Sequence, residues 1–290
     1  MQYCFSRQRF YSYIRLIRLD KPIGILLLLW PTLNALWVGA QGFPKLSILN
    51  IFVLGTVLMR SAGCAINDFA DRHIDLHVKR TRQRPIVNGK IKALEAIGLA
   101  IFLTLLAGVL VLNLNIFTQY LAIAAVVLAA TYPFTKRFFS LPQAYLGIAF
   151  SMGILMAFTA LHNDIPAIAW LMLLANICWV MAYDTEYAMA DKADDLKIGI
   201  RTSAITFGRW DTAAIAIFYV LHLTIYAVIA TDQLWSIWFW AGWIVAGALA
   251  IYHLFLIASK LPERCFKAFL HNNWLGASLF LGIATHYLFS

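Results

Sequence analysis

Asn67, Asp68, Asp71 and Asp75 fall within nine consecutive residues, and Asp184, Glu186, Asp191, Asp194 and Asp195 within twelve. Both windows follow long apolar stretches in a chain of 290 residues of which only 13% are charged. Three acids in the first window and five in the second make eight of the fourteen Asp and Glu. If the helix of the preceding stretch continues through residue 75, Asn67, Asp71 and Asp75 stand at i, i+4 and i+8 with Asp68 beside them, all on one face. Asp184, Tyr187, Asp191, Asp194 and Asp195 share a second helical stripe. Like charges at i, i+4 destabilise a helix by about 0.2–0.5 kcal/mol per pair, and the cost grows next to lipid. A bound cation offsets it. Oxygen-only donors without His or Cys suit Mg²⁺ rather than zinc, and Mg²⁺ takes one or two carboxylates and fills its shell with water and phosphate oxygens. Two such clusters facing each other would clamp a diphosphate. The plainer alternative pairs each acid with a neighbouring Lys or Arg, but two windows of matching spacing favour the clamp.

A basic run, Lys79-Arg80-Thr81-Arg82-Gln83-Arg84-Pro85, follows Asp75 directly. Arginine forks match phosphate oxygens, and lysine supplies a mobile point charge. Arg72, Lys79, Arg80 and Arg84, with Lys192 beside the second cluster, are therefore the diphosphate-binding candidates. Attraction to anionic lipid, about 1 kcal/mol per basic residue, is the competing role. Acids and bases interleaved in one loop favour a metal–phosphate site.

The elements that must hold these residues are membrane spans. The chain is 62% hydrophobic, well above the ~45–50% of a soluble domain. Apolar segments near 23–40, 46–66, 93–112, 116–133, 141–161, 165–183, 211–230, 235–258 and 270–288 predict an all-α integral membrane protein of about nine transmembrane helices in a single domain over 1–290. With a cytoplasmic N-terminus, 22 of the 23 Lys and Arg fall on the cytoplasmic side, leaving only Lys45 outside. Both acidic windows land on that same side, in the long connections 67–92 and 184–210. The net charge of +9 then reflects topology and gives no reason to expect nucleic acid as a partner. Cys4, Cys64, Cys178 and Cys265 form no C-x-x-C pair. Trp235, Trp238, Trp240 and Trp243 read as an interfacial belt, and His162, His222 and His253 are given no role.

Asn67-Asp68-x-x-Asp71-x-x-x-Asp75 followed by Arg80-Thr81-x-x-Arg84-Pro85 resembles the first signature of the UbiA superfamily of intramembrane prenyltransferases. Tyr183-Asp184-Thr-x-Tyr187-Ala-x-x-Asp191-x-x-Asp194-Asp195, running into Lys197-Ile-Gly-Ile-Arg201, resembles the second. Asp20-Lys21-Pro22-Ile23-Gly24, Trp30-Pro31-Thr32 and Tyr132-Pro133-x-x-Lys136-Arg137 are similar to the 4-hydroxybenzoate polyprenyltransferase branch.

The resemblance implies helices around a central cavity open to the cytoplasm and laterally to lipid, in a bacterial inner membrane. It implies a polyprenyl diphosphate and 4-hydroxybenzoate as substrates, in ubiquinone biosynthesis, with Mg²⁺ as cofactor. On that reading Asn67, Asp71, Asp75, Asp191 and Asp195 hold metal, with Asp68 and Asp184 as supporting carboxylates. Asp191 has a second role open to it, polarising the phenol. Lys136 or Arg137 would pair with the benzoate carboxylate, against a plain topological role for both. Tyr132 and Tyr187 would flank an allylic cation or anchor the interface. The rivals are another aromatic acceptor, such as dihydroxynaphthoate, homogentisate or a porphyrin, and a cation-coupled transporter with acids on its path.

Overall fold

The computed structural model describes residues 7–78, 80–135 and 137–289. A short helix α1 (Arg7–Leu16) precedes α2 (Ile23–Ala40), α3 (Leu46–Ala70), α4 (Ala93–Val111), α5 (Ile116–Thr135) and α6 (Pro142–His162). They are followed by α7 (Ala167–Ile198), the short α8 (Ser203–Phe207), α9 (Asp211–Asp232), α10 (Ile237–Ile257) and α11 (Pro262–Phe289). Helices are the expected solution for apolar segments that must satisfy their own backbone in lipid. Eight of them, with α8 and α9 taken as one stretch, are long and apolar enough to cross a membrane. The ninth expected span, 270–288, lies inside α11, which does not meet that measure. It carries Asn272, Asn273, His271 and His286 along its length.

The centre of the bundle is α2 (61% buried over its apolar window), α7 (56%) and α6 (50%), whereas α4 (22%) and α5 (11%) turn most of their surface outward. A polar knot ties α7 to α9, α10 and α11. Glu186 is fully buried and accepts from Asn272 Nδ2 (2.8 Å), and its Oε1 lies 2.8 Å from the Tyr219 hydroxyl. Asn272 Oδ1 accepts from the Trp179 indole (2.9 Å), and His253 bridges Tyr219 to His271 at 3.0 Å on each side. A buried donor or acceptor stripped of its partner costs about 1–3 kcal/mol, so Asn272→Leu is expected to lower unfolding free energy by about that amount. Thermal unfolding in detergent reads it, and an unchanged Tm would show that the knot contributes nothing net.

Glu186, which the helical stripe left out, belongs to this knot. Other sequence expectations need correction here. Trp235 is core and not belt, 5% exposed and packed on Phe239 and His286. The helix of the second span stops at Ala70, with Asp71 as its C-cap. Beyond it the Thr81 hydroxyl donates to the Asp75 carbonyl (3.0 Å) and Arg82 Nε to the Leu76 carbonyl (3.1 Å), so side chains take the acceptors a continuing helix would have used. The Asp71 amide still donates to the Asn67 carbonyl (2.9 Å) and the Asp75 amide to that of Asp71 (2.8 Å), which keeps the acids in helical register. The second window behaves differently. Residues 184–198 are no loop, because α7 continues through them until Gly199, whose positive φ (75°) ends the helix.

Candidate active site

Two adjoining cavities meet where α3 and α7 end. A small one of ≈ 90 Å³ is lined by Asp71 and Asp75 from the first window and by Asp184, Asp191 and Asp195 from α7. A large one of ≈ 1450 Å³ runs through the bundle and takes Asn67, Asp68 and Asp184 into its wall. Arg80, Arg84, Tyr132, Asp184 and Tyr187 line both, and so form the partition between them. The α3 end and the α7 stripe therefore face each other across one pocket, as the two-cluster reading expects.

Arginines hold the acids in this state. Arg80 grips Asp191 with both forks, Nη2 to Oδ2 at 2.5 Å and Nε to Oδ1 at 3.1 Å, and also donates to the Tyr187 hydroxyl. Its guanidinium lies 4.5 Å from the centre of the Tyr187 ring. Arg84 bridges Asp75 (2.6 Å) and Asp68 (3.1 Å), and Arg18 reaches Asp68 from the α1–α2 turn (2.9 Å). Burial opposes the charge on Arg80 and Arg84, but Tyr187 and Asp191 around the one, and Asp68 and Asp75 around the other, outweigh it and raise both pKa values. Burial holds the Asp75 carboxyl above the ordinary carboxylate range against the pull of Arg84, and the charges of Asp71 and Asp68 push the same way.

That crowding is the test of fit for a divalent cation. The wall of the small cavity carries five carboxylates, all oxygen donors, beside two guanidinium groups, with no His or Cys among them. Such a set suits a hard ion that shares its shell with phosphate and water. Among the described residues no three His, Cys, Asp or Glu side chains converge to hold an ion by themselves. The donor chemistry fits, and the substrate's own oxygens must complete the shell.

Other candidates are placed elsewhere. Lys79 and Lys136 lie outside the described residues. Arg72 folds onto its own helix end, donating to the Phe69 carbonyl (2.7 Å) and covering the Phe69 ring at 4.4 Å. Lys192 turns away from the pocket to the start of α9, where it and Lys260 hold Asp211 at 2.9 and 2.5 Å. Arg137 lines neither cavity. It sits against Phe134 and reaches the Ala70 carbonyl at 3.4 Å, bracing the end of α5 against α3.

One residue escaped the sequence reading. Arg60 counts there among the cytoplasmic charges of the connection after the second span, yet it sits inside α3, ten residues and about 15 Å before the helix ends. It lines the large cavity, and its Nε is buried without a hydrogen-bond partner. No described carboxylate pairs with it, and its guanidinium lies 5.7 Å from the centre of the Phe150 ring. A Cβ on Gly24 of α2 would lie 2.6 Å from Arg60 Nε and Nη2, so that glycine makes room for the guanidinium. The available signal was a charge ten residues upstream of the helix end, on the i, i+7, i+8 face that carries Asn67 and Asp68.

Fold and site define a class: an integral membrane protein whose apolar chamber ends in a polar pocket built for an anion and its counter-cation. Residues 28–276 match the model of the UbiA prenyltransferase family, and the chain belongs to that family. Among its relatives, a 4-hydroxybenzoate octaprenyltransferase of Paraburkholderia xenovorans is 60% identical over 275 residues, 95% of this chain and 96% of that protein. One of Burkholderia vietnamiensis is 58% identical over 280 residues, 97% of each chain. Two solved structures share the fold. The apo UbiA homologue of Aeropyrum pernix K1 has a TM-score of 0.79 at 22% identity, covering 90% of this chain and 97% of that one. The Archaeoglobus fulgidus homologue bound to GPP and Mg²⁺ has 0.69 at 17%, covering 94% and 99%.

Proposed function

We propose that this protein transfers a polyprenyl group from an allylic polyprenyl diphosphate to the ring of 4-hydroxybenzoate, meta to the carboxylate, releasing diphosphate, as a step of ubiquinone biosynthesis. Relatives of that activity, 56–60% identical over nearly the whole chain, support it. The observation that carries it is the junction of a five-carboxylate pocket with a ≈ 1450 Å³ apolar chamber, which suits a diphosphate head on a lipid tail.

Asn67, Asp68, Asp71 and Asp75 on one side, and Asp184, Asp191 and Asp195 on the other, would hold Mg²⁺. The ion, when bound, would supply positive charge where the leaving diphosphate gains negative charge. Arg80 and Arg84, now clasping Asp191 and Asp75, are the forks that turn to phosphate when donor arrives. The allylic C–O bond then breaks with its electron pair leaving on the diphosphate. Tyr132 and Tyr187 present their rings to the cation left behind, and the apolar chamber keeps water from it. The ring carbon ortho to the phenol supplies the pair for the new C–C bond, and loss of the ring proton restores aromaticity. Arg60 takes the place of Arg137 as the partner of the benzoate carboxylate. An intramembrane cation without a counter-charge, aimed into the substrate chamber, is a default anion site. The excess of basic residues supports a pocket facing the cytoplasm from a bacterial inner membrane.

Membranes holding the protein are expected to prenylate 4-hydroxybenzoate from radiolabelled polyprenyl diphosphate, to lose that activity to a chelator and to regain it with Mg²⁺. A panel including dihydroxynaphthoate and homogentisate tests the acceptor. Higher kcat/KM on either would displace 4-hydroxybenzoate, and ion flux in proteoliposomes without transfer would restore the transporter reading.

A further inference from the structure

Two buried donors on residues that line the large cavity have no hydrogen-bond partner among the described residues: Arg60 Nε and the Tyr183 hydroxyl. Arg60 faces the acceptor's carboxylate in the prenyl-transfer reading, and Tyr183 has no role in it. Tyr183 is only 2% exposed. Its ring packs edge-on to Trp179 (5.2 Å) and tilts against Phe269 (6.1 Å), and neither side chain offers an acceptor. Those ring contacts would hold a phenylalanine equally well, and a buried hydroxyl left unpaired is a net cost to the fold. The hydroxyl therefore points to a partner that arrives with substrate.

The two donors lie at one depth. α3 and α7 both run toward the acidic pocket and end beside it. Arg60 stands seven residues before Asn67 on α3, and Tyr183 eight before Asp191 on α7. At 1.5 Å per residue, each is about 10–12 Å short of the polar residue on its own helix. Arg60 and the Tyr183 hydroxyl lie within electrostatic reach of each other. Phe150, 5.7 Å from the Arg60 guanidinium, and Phe269, beside Tyr183, line the cavity as apolar walls. A 4-hydroxybenzoate ring whose phenol edge faces the diphosphate end turns its para carboxylate away from that end, toward these donors. A carboxylate offers about four lone-pair sites, so it can accept from both at once, and bonds to a charged acceptor are the stronger kind.

We propose that Tyr183 is a specificity-determining residue of the acceptor subsite: its hydroxyl donates to the same carboxylate that Arg60 holds, and the two side chains form one clasp. This rests on the prenyl-transfer reading for the identity of the acceptor. The clasp selects a flat aromatic acid whose anion lies para to the phenol, and it disfavours an uncharged ring.

The test is Tyr183→Phe in the full-length protein, which keeps the ring on Trp179 and Phe269 and removes only the hydroxyl. Without ligand, its Tm in detergent should equal or exceed that of the wild type, because an unpaired buried group is lost. The KM for 4-hydroxybenzoate should rise about tenfold or more, with kcat and the KM for polyprenyl diphosphate little changed. The thermal shift that 4-hydroxybenzoate produces without donor should shrink in step. Arg60→Met supplies the second comparison. If both side chains hold one carboxylate, removing the Tyr183 hydroxyl in that background should change KM by less than about threefold. A hydroxyl that meets the phenol instead would cost the full tenfold there too. An unmoved KM, a lowered Tm without ligand, or losses that simply multiply would each overturn the proposal. A wild type with the hydroxyl-dependent thermal shift but no prenyl transfer would instead sink the transfer reading alone.

Discussion

Asp191→Asn is expected to lower kcat by about 10²–10³-fold while the protein folds and inserts normally, the scale of losing one electrostatic partner of a developing charge. Asn keeps the shape of the side chain and removes its charge. Two things are lost together. The Arg80 forks, at 2.5 and 3.1 Å, lose their carboxylate, and the five-carboxylate wall of the small cavity drops to four. With fewer anionic oxygens the wall holds a divalent ion more weakly, so the Mg²⁺ concentration for half-maximal rate should rise. If Asp191 polarised the phenol and never met metal, the rate would fall with that midpoint unmoved. The control is Asp194→Asn. Asp194 lies three residues on, pairs with Lys197 at 3.4 Å on the surface and lines neither cavity. It should retain near-full activity. Equal losses in both variants would mean that charge near the helix end matters in general and the pocket does not.

The contrast between those neighbours shows what was legible beforehand. Helical spacing put Asp184, Tyr187, Asp191, Asp194 and Asp195 on a stripe, and α7 bears all of them but Asp194 into one cavity because a 32-residue helix obeys its own period. The same period left Glu186 off that stripe but named no partner for it. Its burial depends on Tyr219 and Asn272, which are 33 and 86 residues away. The first window was read with the right partners but the wrong backbone, since Thr81 and Arg82 capture carbonyls only once the loop has folded back. Arg137 was placed by chain neighbourhood beside Tyr132, yet Tyr132 faces the cavities and Arg137 turns to the Ala70 carbonyl. Arg60 was hidden for the opposite reason. Basic residues were counted by sidedness, and a count of that kind cannot see that one of them stops short of the interface.

Arg60→Met should raise KM for 4-hydroxybenzoate by about 10²-fold, because truncating one member of a buried charge pair costs about 2–5 kcal/mol. The KM for polyprenyl diphosphate should change little, since Arg80, Arg84 and the acids are untouched. Methionine fills much of the same channel with an apolar chain, so the α3–α2 packing is retained. The sharper measurement uses an uncharged acceptor, 4-hydroxybenzamide. The wild type should prefer the acid strongly, and Arg60→Met should lose most of that preference, because the cycle isolates the guanidinium–carboxylate interaction from packing. Gly24→Ala gives the same answer from the other helix. Its methyl would meet the Arg60 guanidinium at 2.6 Å and displace it with the charge intact. That variant should weaken acid binding in proportion to the displacement, and this explains in physical terms why Gly follows Pro22-Ile23 in the opening motif. If Arg60→Met instead raises KM for both substrates equally, the residue supports the chamber as a whole. If discrimination between acid and amide survives, the carboxylate is bound elsewhere, and Lys136 becomes the next residue to test.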